Sequence, residues 1–169
     1  MKIFLSADTH FNHRNIIEYC QRPFKDVEEM NFKIIENWND LVTDEDIVYF
    51  LGDFCFGQYK CFEERLNGKI IFIKGNHDKN LNFALNSAIL NFANKKIFLC
   101  HDLSYVNSLD WSNCDLILQG HIHEKWKYNK IYNHHKGKDI DIINVGVDCW
   151  DFKPILLNDI IIVKGIKNE

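Results

Sequence analysis

The sequence predicts an α/β layered fold whose second sheet is partly antiparallel. Three observations carry this reading. Short apolar runs rich in Ile, Val and Phe recur along the chain as buried strands, segments with helical spacing separate the first three, and the pattern turns β-like again after Lys125. At 169 residues the chain is expected to form a single domain, 1–169, with no linker.

Taken in order, strands are expected at Lys2–Ala7 (KIFLSA), Asp46–Gly52 (DIVYFLG), Lys69–Gly75 (KIIFIKG), Lys95–His101 (KKIFLCH) and Asp115–His121 (DLILQGH). A helix is expected over Asp26–Val42, where Met30, Ile34, Trp38 and Leu41 share a face. Asp78 precedes KNLNFAL and reads as the cap of a further helix, with orientation of His77 as its alternative role. Beyond Lys125, KWKYNKIY and DIDIINVGVD bracket the polar NHHKGK, and DIIIVKG (Asp159–Gly165) reads as a last strand.

Composition excludes several classes. A formal net charge of −4 offers no general attraction to phosphate backbones, so extended nucleic-acid binding is not expected. The first apolar run stops at Asp8, too short for a leader or a membrane span, so a cytoplasmic protein without membrane association is expected. Six cysteines without a C-x-x-C pair suit reduced thiols, not a disulfide framework or a zinc-thiolate site. Lys125, Lys127, Lys130, Lys136 and Lys138 interleave with Trp126, Tyr128 and Tyr132; they read as the solvated face of a hairpin rather than a base-stacking surface, with His134 and His135 at its tip.

Each of the first five strands ends in polar residues: Asp8 and His10, then Asp53, then Asn76, His77 and Asp78, then His101, then His121 and His123. Any one of these is ordinarily a turn former or a hydrogen-bonded surface group. Five strand ends in succession are not, because function in open α/β sheets gathers at the carboxyl ends of strands, and these are the oxygen and nitrogen donors that divalent cations prefer.

As an ordered set, Asp8-Thr9-His10, Gly52-Asp53, Gly75-Asn76-His77-Asp78, His101 and Gly120-His121-Ile122-His123 resemble the D-x-H, G-D, G-N-H-[DE], H, G-H-x-H pattern of the calcineurin-like metallophosphoesterase superfamily. The flanking CQRPF and NVGVDCWDFKP look like a small, cap-less bacterial and phage subgroup. The resemblance implies a layered sandwich of two mixed β-sheets flanked by helices. It implies one metal held by Asp8, His10, Asp53 and His123 and a second by Asp53, Asn76, His101 and His121, with His77 as the catalytic group that is not a ligand. Asp53 suits the bridging place, since a carboxylate sets negative charge between cations about 3.5 to 4 Å apart. Two divalent cations against Asp8 and Asp53 leave a surplus of about +2 for an anionic ester and a hydroxide formed from metal-bound water.

The expected cofactors are two divalent metal ions, manganese first, with iron, zinc, nickel and magnesium as alternatives. The expected substrate is a small phosphodiester or nucleotide-like phosphoester. His13, Arg14, Asn15 and Arg22 are its candidate phosphate contacts, against the plainer reading of a helix start with solvated side chains. After Gly52-Asp53 the chain reads FCFGQ and lacks the G-D-x-x-D-R-G run of the phosphoprotein phosphatases, so protein dephosphorylation is not expected. The alternative class is a protein-interaction scaffold like the retromer-associated members of the superfamily, which lost catalytic positions that are present here; a homodimer is left open. An extended backbone at LQGHIHEK would point His121 and His123 to the same side, one to each metal, with Ile122 in apolar packing and Gly120 allowing the turn.

Overall fold

A computed structural model describes residues 1–163. The elements run β1 (Ile3–Ser6), α1 (Asn15–Tyr19), α2 (Val27–Asn39), β2 (Ile47–Leu51), α3 (Lys60–Glu63), β3 (Lys69–Ile73), β4 (Ser87–Phe92) and β5 (Lys95–Cys100), then β6 (Leu116–Gln119), β7 (Tyr128–Asn133), β8 (Lys138–Asn144), β9 (Ile155–Leu156) and α4 (Leu157–Val163). One sheet has the order β3-β2-β1-β9, with β9 antiparallel to β1 and the rest parallel; the other has the order β4-β5-β6-β8-β7, parallel at its centre and antiparallel at both edges.

Strands β1, β2, β5 and β6 read as continuous apolar runs because both of their faces are buried. In the first sheet Phe4, Val48, Phe50 and Phe72 pack on the helices, against Ile16, Met30, Ile34, Trp38 and Phe62. Their neighbours Leu5, Leu51 and Ile73 point the other way, into a layer shared with Ile97, Leu99, Leu116, Leu118 and Ile143 of the second sheet. The outer face of that sheet carries Phe98, Ile117, Ile140 and Ile142 under Trp111 and Cys114. Asp26 caps α2 by accepting from the Glu29 amide at 2.8 Å. Met30, Ile34 and Trp38 are buried as their spacing predicts, but the helix ends at Asn39, so Leu41 lies beyond it and is exposed.

Two local expectations are corrected. The run over Asp159–Gly165 is not a strand within the described residues but lies in α4, where Leu157, Ile160 and Ile161 face the inter-sheet layer and Ile162 is exposed. A core-facing stripe at i, i+3, i+4 outweighed the strand preference of three successive isoleucines; Lys164 and Gly165 lie outside the described residues. No helix follows Asp78. Residues 79–86 form turns, held to the sheet where Lys74 donates to Leu85 and Leu85 donates to Phe72, and lead into β4, whose half-buried residues pair with β5. No described helix is long and apolar enough to cross a membrane.

Candidate metal centre

The polar residues after β1, β2, β3, β5 and β6 converge. Donor atoms of Asp8, His10 and His123 lie within 4.8 Å of one another, and so do those of Asp53, His101 and His121. The second carboxylate oxygen of Asp53 lies between the groups, 3.5 Å from His10 Nε2 and 3.5 Å from His101 Nε2. Asn76 Oδ1 stands 3.0 Å from His101 Nε2 and 3.1 Å from His121 Nδ1. Ligands bound at about 2.1 Å around one cation lie roughly 3.0 to 3.4 Å apart, so these spacings fit. His10 Nε2 is buried and without a hydrogen-bond partner, a costly state for a ring nitrogen unless a cation occupies its lone pair. His101 Nδ1 meets the Leu51 carbonyl at 2.7 Å, which leaves Nε2 as its ligand atom.

The backbone is bent to achieve this. Asp8, His10, Asp53, His121 and His123 all have positive φ, between 49° and 73°. Such conformations are uncommon outside glycine and persist where the surrounding structure imposes them. The stretch after Gln119 is therefore not extended: His121 is at φ +73°, and His123 at φ +50° opens a single 3₁₀ turn. The two histidines still separate, one to each group, through these turns and not through a strand's alternation. Ile122 is only half-buried. Gly120 has no positive φ; a Cβ there would meet Ala7 Cβ at 2.7 Å and an Asp8 carboxylate oxygen at 2.8 Å. It is needed for close approach of β6 to β1, not for the turn.

Burial pushes the Asp8 carboxyl up to about 7 and the His10 imidazole down to about 2. Burial also opposes charge on Asp53 and His101, yet their mutual hydrogen bond and attraction prevail, so Asp53 falls to about 2 and His101 rises to about 9. His123 rises to about 10, because its bond to Asp148 outweighs burial. Buried acids and imidazoles with such opposed demands for protons are what a divalent cation reconciles by displacing those protons.

The other predicted residues divide. His77 is at the rim with a side chain 47% exposed and Nε2 4.0 Å from Asp53, and its backbone amide donates to Asp53 Oδ1 at 2.9 Å. His13 stacks on Phe56 with ring centroids 4.1 Å apart and touches His10, Nδ1 to Nδ1 at 3.4 Å. Arg14 and Asn15 are exposed at the start of α1. Arg22 departs from the expected phosphate contact. It is buried, and its N–H groups are taken by Asp148, by the carbonyls of Asp8 and Thr9, and by Met30 Sδ. Asp78 neither caps a helix nor orients His77; it accepts from the Asp53, Gly75 and Phe54 amides and so ties two ligand-bearing turns together.

Two acidic residues are new to the site. Asp102 Oδ2 lies 3.3 Å from His121 Nε2, and Asp148 Oδ2 lies 3.0 Å from His123 Nδ1. The sequence marks them only as acids beside or beyond a histidine motif, because their partners come from distant strands. Cys20, His123 and Asp148 also cluster. Asp148 is already engaged by the Arg22 guanidinium at 2.8 and 2.9 Å, so this group is part of the support of His123 and not a further ion site.

An α/β sandwich of two mixed sheets with histidines, carboxylates and an amide gathered at strand ends defines a metallophosphoesterase architecture. The chain belongs to the calcineurin-like phosphoesterase superfamily, whose domain profile matches residues 1–154. It is 43% identical to an uncharacterized protein of Methanocaldococcus jannaschii over 98% of this chain and 92% of that protein. A solved protein of unknown function from Aquifex aeolicus superposes with TM-score 0.74 at 28% identity, covering 96% of this chain and 98% of that one. The fold is shared at lower identity by Vps29 of Entamoeba histolytica (TM-score 0.53, 18%, covering 85% and 73%) and by an archaeal phosphodiesterase (TM-score 0.50, 22%, covering 88% and 86%).

Proposed function

We propose that the chain is a phosphoesterase that uses two divalent cations, with manganese expected first, to hydrolyse small phosphodiester or nucleotide-like substrates. The carrying observation is the position of Asp53 between two complete donor groups, 3.5 Å from His10 Nε2 and from His101 Nε2, beside the unpartnered His10 nitrogen. Cations held there supply Lewis acidity toward the phosphoryl oxygens and acidify water. Asp8, His10, Asp53 and His123 would hold one, and Asp53, Asn76, His101 and His121 the other. His77 is at the open rim, free of ligand duty, where an imidazole can give a proton to the leaving oxygen as the phosphorus–oxygen bond breaks. His13 borders the same opening.

Substrate size follows from the space beside the donors. A groove of about 600 Å³ opens from Asn76 and His101 past Lys74, Asn86, Tyr105 and Asn107, and one of about 260 Å³ lies beyond His77 beside Phe56 and Tyr59. The larger of the two is of the volume that a ligand of nucleotide scale occupies. Since the fold is shared with Vps29 as well as with a phosphodiesterase, fold alone does not choose between catalyst and scaffold. The full donor set together with His77 supports the catalyst.

The test is hydrolysis of bis(p-nitrophenyl) phosphate and p-nitrophenyl phosphate by metal-stripped protein, with manganese, nickel or magnesium restored singly. Metal-dependent turnover is expected, faster on the diester. His77→Ala should keep the metals and slow turnover by roughly 10² to 10⁴, whereas Asp53→Asn should lose metal and activity together. Cation uptake without turnover on either ester would sink the enzymatic reading and leave the scaffold.

A further inference from the structure

We infer that Arg22 and Asp148 are a positioning pair that locks the His123 ring and the Asp8-Thr9-His10 turn in one frame, so that the first donor group is built before a cation arrives. The inference rests on the metal-binding part of the proposed function and assigns residues that the ligand motifs do not include.

One guanidinium joins two parts of the site. Arg22 follows α1; its Nε and one Nη donate to the two oxygens of Asp148 at 2.8 and 2.9 Å. The same side chain donates to the Asp8 carbonyl at 2.7 Å and to the Thr9 carbonyl at 3.0 Å, on the turn that carries the ligands Asp8 and His10. Asp148, beyond β8, passes the connection to His123 Nδ1 at 3.0 Å. That contact engages Nδ1 and so leaves Nε2 as the ring's ligand atom in the group with Asp8 and His10. The pair is closed to solvent, with side-chain exposures of 0% and 3%. A planar fork is required here, since a point charge could not meet a carboxylate side-on and two carbonyls at once.

The backbone of His123 is gripped from the end of β8 and the turn beyond it. Asn144 Nδ2 donates to the His123 carbonyl at 2.6 Å and Cys149 Sγ at 3.2 Å. Ring and carbonyl are thus held together at a residue with φ +50°. Because Arg22 and Asp148 cancel in charge, the pair adds rigidity while leaving the cation surplus of the centre unchanged. In the second donor group His121 is held more loosely: it meets Asp102 at 3.3 Å, and its side chain is 36% exposed.

The test is calorimetric titration of the metal-stripped chain with manganese. Wild type should show two uptake events. Asp148→Asn keeps the side-chain shape but turns an N–H₂ toward at least one of the three donors, Arg22 Nε, Arg22 Nη and His123 Nδ1, and Arg22→Lys keeps the charge without the fork. Each should weaken one event by about 10- to 100-fold and leave the other within about threefold. Equal affinities in wild type and both variants would overturn the pairing, and so would equal weakening of both events.

A second readout does not depend on how the variants fold. In the zinc-loaded wild-type chain, ¹⁵N-histidine spectra should place the His123 ring proton on Nδ1; a proton on Nε2 overturns the inference. Two uptake events in wild type with unaffected variants remove this inference alone. A wild-type chain that takes up no cation removes the functional reading and this inference with it.

Discussion

Asp78→Ala tests how the turns that carry the ligands are held. Asp78 is buried, and it accepts from the Asp53 amide at 2.7 Å, the Gly75 amide at 2.8 Å and the Phe54 amide at 2.9 Å. Alanine leaves three buried N–H groups without partners, each costing about 1 to 3 kcal/mol. They share one site and relax together, so the sum is not additive, and a loss of about 3 to 5 kcal/mol is expected. For a chain of this length that lowers the melting midpoint by roughly 6 to 20 °C. Asp78→Asn keeps one acceptor oxygen and sets an N–H₂ against an amide, so it should fall between the two. Urea and thermal melts in chelator measure the fold without contribution from bound cations. An Asp78→Ala midpoint within about 2 °C of wild type would refute the strut, as would an Asn variant as damaged as the Ala variant.

Gly120→Ala should drive a methyl group onto Ala7 Cβ at 2.7 Å and onto the Asp8 carboxylate at 2.8 Å. An overpacking loss of about 1 to 3 kcal/mol in the chelated protein is expected, with weaker cation uptake because Asp8 must move; unchanged melting and uptake would contradict the close approach. Asp46 supports the start of β2, and the amides of Thr43 and Lys2 hold its carboxyl at about 2, below the ordinary 3.8. Its folded value is depressed, so its contribution is complete above about pH 4 and disappears as pH falls toward 2. The wild-type melting midpoint should therefore drop more steeply between pH 4 and 2 than that of Asp46→Asn, and parallel curves would count against the assignment.

The candidate ligands were legible from the chain because each is a donor of the right chemistry placed where an apolar run ends. Asp8, His10, Asp53, Asn76, His101, His121 and His123 follow strands whose two buried faces made those runs continuous. The two-sheet layout was legible for the same reason. The last helix was not: Ile160, Ile161 and Ile162 favour a strand locally, and only the inter-sheet layer selects which of them turn inward.

Donor chemistry and the order in which it is presented are thus properties of single residues and their immediate neighbours. How those donors are held depends instead on contacts between residues far apart in the chain. Arg22 reaches Asp148 across 126 positions, Asp78 reaches the Asp53 amide across 25, and Gly120 is required by Ala7 and Asp8 at the far end of the chain. Hydrogen bonds and close contacts act over about 3 Å in space whatever the separation along the chain, so their partners become visible only once the two sheets stack and bring the ends of β1, β2, β3, β6 and β8 together.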